Sequence, residues 1–300
     1  MSENLTVSAV PDYLRADSLD VAVAALALAP RKILAGGTDV FPSLQDRPLG
    51  GAVLDISGIA ELRRIGLENG YWHIGAAASW SDVIKADLPP AFDGLKAAAR
   101  EVGSVQIQNR ATLAGNLCNA SPAADGVPPL LTLDAEVEII SHTGLRSLPL
   151  PAFILGNRKT ALGAGEMVAG LKIPTASATG ISDFFKLGSR SYLVISISMA
   201  AVRLDVNAAG IITMAAVAIG ACSEVAQRMP DVEAALVGSA IADVVGKIHP
   251  RQFASLAPID DVRAPASYRN HVAVQAVRHL LEIQQSAHES TSGNNGNIPV

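Results

Sequence analysis

The chain has little cysteine: Cys118 and Cys222 are the only two in 300 residues. They are far apart and neither belongs to a CxxC pair. A disulfide framework, a cysteine-held iron–sulfur cluster and a four-ligand zinc site are therefore excluded. Residues 1–10 contain no basic residue and no long apolar core, so a signal peptide is not expected, and a cytoplasmic protein is. Long hydrophobic runs are also missing. Mean hydropathy is positive, +0.31, but much of it is alanine. The apolar stretches at 21–30 and 211–221 fall well short of the roughly 20 residues of a membrane-spanning helix. Basic clusters are absent too. There are 23 lysines and arginines against 28 acidic residues, scattered, with net charge −5, which excludes a nucleic-acid surface. No Ser–His–Asp arrangement is suggested by spacing, and no metal site.

What is present is ample apolar material, 49% of the residues, enough for two domains rather than one. Ser18 caps a predicted helix over 18–29. A short strand at 32–34 runs into Ala35-Gly36-Gly37-Thr38-Asp39, and a second strand follows at 52–56. Strands are predicted at 71–77, 135–140 and 166–173, and a helix at 91–102 that Gly103 would end. The segment 112–125 has little periodicity and almost no bulky side chain. Residues 174–180, rich in Thr, Ser and Ala, mark a boundary. Beyond it, 183–187, 193–205 and 210–219 read as an antiparallel meander. Helices are predicted near 232–237, 239–248 and 270–284, and a disordered tail over 286–300.

Two motifs carry chemistry. In Ala35-Gly36-Gly37-Thr38-Asp39 the glycines let backbone N–H groups approach an anion such as a pyrophosphate. From these five residues alone an ordinary glycine turn is the commoner reading. The segment 112–125, TLAGNLCNASPAAD, offers hydroxyls, amides and the Asp125 carboxylate at close intervals. That suits an extended polar ligand, or a tight loop held by its own Asn and Ser side chains. Other features weigh less. Gly163, Gly165 and Gly170 do not have dinucleotide-fingerprint spacing. Residues 156–160 lack the first glycine of a P-loop. His73 reads as a half-buried strand residue, and Cys118 as a small residue in a tight space.

Taken in order, the LAGGTD loop, TLAGNLCNASPAAD, AGEMVAGLKIP (164–174), FFKLGSRSYLVISISMA (184–200) and APASYRNHVAVQAVRHLL (264–281) resemble the FAD-binding medium subunit of the molybdenum hydroxylases, the xanthine dehydrogenase and carbon monoxide dehydrogenase flavoprotein type. The resemblance covers nearly all of residues 5–285. It implies an α+β chain: a two-subdomain FAD-binding fold of the vanillyl-alcohol-oxidase type over 1–176 (1–58 and 59–176), then a C-terminal antiparallel sheet with helices over 177–285. It implies that Ala35, Gly36, Gly37, Thr38 and Asp39 wrap the FAD pyrophosphate. Thr112, Gly115, Asn116, Ser121 and Asp125 would form the second FAD loop, with Asp125 on ribityl or ribose hydroxyls. Met167 and Val168 would flank the rings, and Lys186 and Tyr192 would approach the flavin from the C-terminal part. Ala114 stands where the family usually has a glycine, so that residue must be right-handed or extended.

The same resemblance implies a large molybdopterin subunit and a small subunit with [2Fe-2S] clusters, assembled as a dimer of heterotrimers, and an external electron acceptor. The alternative is a self-standing FAD-dependent oxidase or reductase acting on a small molecule. It would need an acid or base beside the flavin, for which Tyr192 and Lys186 are the candidates. A scaffold that has lost FAD is the third reading, disfavoured by the intact AGGTD loop and Asp125.

Overall fold

The computed structural model describes residues 12–191 and 193–294. The chain opens with β1 (Tyr13–Arg15), α1 (Leu19–Leu28), β2 (Lys32–Leu34), α2 (Val40–Leu44) and β3 (Val53–Asp55). The Ser18 hydroxyl accepts from the Val21 N–H and starts α1, as its type predicts. The three strands form a small parallel sheet in the order β1-β3-β2. The turn after β2 therefore emerges at the carboxyl end of a parallel strand, where open α/β sheets place ligands.

The second unit begins with β4 (Ile65–Glu68), β5 (Tyr71–Gly75) and α3 (Trp80–Lys85). Ser79 and Asp82 close a reciprocal cap on α3. Then come α4 (Asp93–Glu101), α5 (Val105–Gln108), α6 (Leu113–Asn119), α7 (Val127–Thr132), β6 (Glu136–Ser141), β7 (Gly144–Pro149), α8 (Leu150–Phe153), the hairpin β8 (Ile154–Gly156) and β9 (Lys159–Thr160), and β10 (Met167–Pro174). The sheet order is β4-β5-β10-β6-β7, antiparallel where β10 meets β5 and β6.

The last unit is a four-stranded antiparallel sheet of β11 (Ile181–Leu187), β12 (Ser198–Val206), β13 (Ile212–Gly220) and β14 (Gln227–Arg228). It is followed by α9 (Pro230–Leu236) and the long α10 (Ala266–Asn294). β12 is apolar along most of its length because both faces are covered. Ala200, Val202 and Leu204 join the core beneath α9 and α10, while Met199 and Ala201 pack with Ala98 of α4. Among the described residues no helix is long and apolar enough to cross a membrane.

The mixed helix-and-sheet architecture, with an antiparallel sheet in its last part, is the one expected. Four local readings need correction. The unperiodic segment 112–125 contains a helix, α6. The predicted helix at 239–248 is two 3-10 turns, Ile241–Asp243 and Val245–Lys247, in a stretch interrupted by Gly246 and crowded with β-branched Val244 and Val245. The strand expected from 193 begins only at Ser198, because the preceding residues leave the ladder for the first half of the chain. The disordered tail expected from Ser286 is helical through Asn294. Residues 295–300 lie outside the described residues.

Candidate functional site

A cavity of 570 Å³ opens between the parallel sheet, α6 with the loop after it, and the approach to β12. That size falls in the range of small-molecule and cofactor sites. One wall is the turn 35–40. Gly37 has φ +76° there, and a Cβ would lie 2.5 Å from the Phe41 ring. A Cβ on Gly36 would collide with the Arg110 carbonyl and stand 3.0 Å from the Ala111 Cα. Gly36 therefore lets the turn close against the chain entering α6. Among the described residues, no acceptor within the protein takes the backbone N–H groups of Gly36, Gly37, Thr38 or Asp39.

The second wall is α6 and residues 121–125. The Thr112 hydroxyl caps α6 by accepting from the Gly115 N–H at 3.0 Å, so Thr112 and Gly115 complete each other. Ala114 lies within the right-handed helix, which answers the question raised by its methyl group. Asn116 lines the cavity with its buried Oδ1 unpartnered, and so does Trp80, whose indole N–H is also unpartnered. Cys118 is exposed and lines the cavity, yet protein crowds it enough that burial pushes the thiol up to about 12.

Asp125 is the electrostatic centre of this wall. It is 7% exposed. Lys186 Nζ donates to its Oδ2 at 2.7 Å and the Ser196 hydroxyl to its Oδ1 at 2.7 Å. Burial pushes the Asp125 carboxyl above the usual carboxylate range, against the opposing pull of Lys186 and of the Ser196 bond. Both partners come from the C-terminal unit, Lys186 from β11 and Ser196 from the approach to β12, so one carboxylate ties that unit to the cavity.

The structure thus brings Ala35, Gly36, Gly37, Thr38, Asp39, Thr112, Gly115, Asn116, Ser121, Asp125 and Val168 to one cavity. Met167 alternates away from it and is fully buried in β10. Lys186 does not line the cavity and meets it through Asp125, its ammonium donating also to the Glu101 carbonyl. Tyr192 lies outside the described residues. Sequence reasoning missed Ile33, Ile56, Trp80, Val102, Ile107, Leu162 and Ile195, which also line the cavity. An apolar side chain in a core and one on a cavity wall look alike in a sequence. Ser196 was missed because its strand was predicted to start before it.

Comparison with known proteins agrees with the geometry. The family described as "FAD binding domain in molybdopterin dehydrogenase" matches residues 6–176, and the "CO dehydrogenase flavoprotein C-terminal domain" matches 183–283. The nicotinate dehydrogenase FAD-subunit of Eubacterium barkeri is 34% identical over 215 residues, which is 70% of this chain and 73% of that one. The xanthine dehydrogenase FAD-binding subunit of Escherichia coli O157:H7 is 37% identical over 191 residues, 61% of this chain and 65% of that one. Among solved structures, a carbon monoxide dehydrogenase from Hydrogenophaga pseudoflava superposes with a TM-score of 0.78 at 26% identity, covering 91% of this chain and 96% of that one. The chain belongs to the family of FAD-binding subunits of molybdopterin-dependent dehydrogenases.

Proposed function

We propose that this cavity holds FAD and that the chain is the electron-transferring subunit of a heterotrimeric molybdenum hydroxylase. The observation that carries the reading is the row of four backbone N–H groups, Gly36 to Asp39, without acceptors among the described residues and in the wall of a 570 Å³ cavity. Such a row suits a pyrophosphate. The residues fit the rest of the cofactor as well. Asn116, Ser121 and Asp125 offer acceptors and donors for sugar-like hydroxyls, and Val168, Ile33, Ile56 and Leu162 offer apolar surface for the rings. Met167 is withdrawn from the ring contacts, and Lys186 acts by holding Asp125.

FAD, when bound, supplies the redox chemistry, and the protein supplies binding, orientation and electrostatics. Among the described residues lining the cavity, the ionisable side chains are Asp39, Cys118 and Asp125. Asp125 is already engaged, and the Cys118 thiol is protonated at neutral pH. This set suits electron transfer better than proton abstraction from a substrate. In this reading the organic substrate is oxidised on a large molybdopterin subunit. A small partner with [2Fe-2S] clusters feeds electrons to this chain, and an external acceptor removes them. The assembly is a dimer of heterotrimers in the cytoplasm, a reducing compartment compatible with two free cysteines.

The test is isolation of the natively expressed protein with whatever accompanies it, followed by an absorption spectrum. A flavin spectrum with one large and one small partner and broad iron–sulfur absorption is the expected result. A yellow protein that turns over a small substrate alone would overturn the assignment. Gly37→Val, which places a branched side chain at φ +76° against Phe41, is expected to abolish FAD retention. Normal flavin content in that variant would remove the pyrophosphate from this turn.

A further inference from the structure

Arg269 does not line the cavity, yet backbone carbonyls of two segments that hold a cavity-wall loop meet at its guanidinium. It is the fourth residue of α10 and only 3% exposed. Nη1 donates to the Ile197 carbonyl at 2.6 Å and to the Ala221 carbonyl at 3.2 Å, and Nη2 donates to Asp261 Oδ1 at 2.7 Å. Ile197 and Ala221 belong to different segments, one entering β12 and the other leaving β13. Each segment grips the 121–125 loop beside its anchor point. Ser196, next to Ile197, donates its hydroxyl to Asp125. The Ala221 N–H donates to the Pro122 carbonyl at 3.0 Å. Ala221 sits at φ +60°, a conformation alanine rarely adopts and one that the surroundings must enforce. The loop so held supplies Ser121, Ala123, Ala124 and Asp125 to the cavity, and the Ile197 segment supplies Ile195.

We infer that Arg269 is a positioning residue for the cofactor: its guanidinium, aimed by Asp261, sets the position of the 121–125 wall through Ile197–Ser196 and through Ala221. The planar fork of an arginine can serve two carbonyls and a carboxylate at once, whereas a lysine ammonium offers a single point on a flexible stem. The inference rests on the FAD reading of the cavity.

The experiment titrates FAD into the deflavinated full-length chain and measures its dissociation constant and bound-flavin absorption spectrum. Wild type is compared with Arg269→Gln, Arg269→Lys, Ser196→Ala and the Arg269→Gln/Ser196→Ala pair. Arg278→Gln is the control. Arg278 is a neighbour on the same helix that donates to the Ile248 carbonyl at 2.6 Å, away from the cavity. Arg269→Gln is expected to weaken FAD binding about tenfold and to shift the flavin band, and Arg269→Lys to weaken it about threefold. The double variant should be no worse than Arg269→Gln, because both substitutions act on the same path, from the Ile197 carbonyl through the Ser196 hydroxyl to Asp125. Arg278→Gln should lower the melting temperature and leave FAD affinity unchanged. Unchanged affinity in both Arg269 variants would overturn the inference. So would equal losses in the Arg269→Gln and Arg278→Gln proteins, or losses that multiply in the double variant. Arg269→Lys keeps the charge, so the comparison survives a glutamine variant that fails to fold. A wild-type chain that binds no FAD would overturn the FAD reading itself, and this inference with it.

Discussion

The glycines of the first motif do different work from the one their composition suggests. Gly36 admits the backbone of Arg110 and Ala111, so it joins two walls before any ligand is considered. Gly36→Ala is expected to cost about 1–3 kcal/mol by overpacking and to lower flavin content. A thermal melt and the flavin-to-protein absorbance ratio check both, and an unchanged melt would mean the two walls part freely. Cys118 tests the cavity from inside. With its thiol raised to about 12, iodoacetamide is expected to react slowly at pH 7.5, since the thiolate is the nucleophile. FAD is expected to slow it further. Equal alkylation with and without FAD would place the flavin elsewhere. The polar members of the site were legible because Gly, Thr, Asn, Ser and Asp crowded into short segments have few other uses. Trp80 was not legible. A buried tryptophan with an unpartnered N–H is recognised only once its neighbours are known.

At the scale of elements, α7 holds the two halves of the chain together. It carries Pro128 and Pro129 in its first turn, where proline is tolerated, and ends in carbonyls that the following turn satisfies only in part: the Leu131 carbonyl accepts from the Asp134 N–H at 3.2 Å, and among the described residues the Thr132 carbonyl takes no backbone donor. Two arginines of the C-terminal sheet take them. Arg203, 1% exposed, donates to the Thr132 carbonyl at 2.8 Å and to the Thr179 carbonyl at 3.1 Å. Arg228 donates to the Leu131 carbonyl at 3.0 Å and pairs with Asp134 and Glu233. Positive charge at a helix C-terminus also complements the helix dipole. Arg203→Met is expected to cost about 2–3 kcal/mol, since hydrogen bonds from a charged donor are lost and buried carbonyls are left bare. Arg228→Met, more exposed, is expected to cost about 1 kcal/mol. Chemical denaturation measures both, and a loss below about 0.5 kcal/mol for Arg203→Met would show that the clamp is dispensable. The sequence announced part of this. An arginine inside the apolar run SMAAVRLDV is an anomaly in a buried strand and demands a partner. Its partners, carbonyls 71 and 24 residues earlier, have no side-chain signature and could not be read. The short helices α3, α5 and α7 were missed for a related reason: each is too brief for helical periodicity, α3 and α5 being held by serine caps and α7 by tertiary contacts.

For the whole molecule, the carboxylates divide into two groups that titrate in opposite directions, and the division predicts an order of events on acidification. Burial works against ionised Asp261, but N–H groups of Arg263 and Ala264 and the guanidinium of Arg269 hold it down at about 2. Asp55, Asp82 and Glu166 are also held below their ordinary values by hydrogen bonds that outweigh burial. A carboxyl depressed in the folded state contributes stability that is complete above its ordinary value and is lost as pH falls towards the folded value. For Asp261 that window runs from about 4 down to about 2. Asp125 lies on the other side. Its folded-state value is raised, chiefly by burial, so it takes up a proton before those groups do. That protonation does not penalise folding, because the folded state binds the proton more tightly than the unfolded chain. It does remove the charge that Lys186 answers across the cavity wall. Mild acid is therefore expected to loosen FAD while the fold persists, and global unfolding to follow only at lower pH. Free-flavin fluorescence and far-ultraviolet circular dichroism, followed in parallel from pH 7 to pH 2, should give two separated transitions. Glu166→Gln, at a depressed carboxylate that does not line the cavity, should flatten the acid limb of the second and leave the first in place. A single coincident transition would mean that the Asp125–Lys186 contact and the fold fail together, and that the cavity wall has no titration of its own.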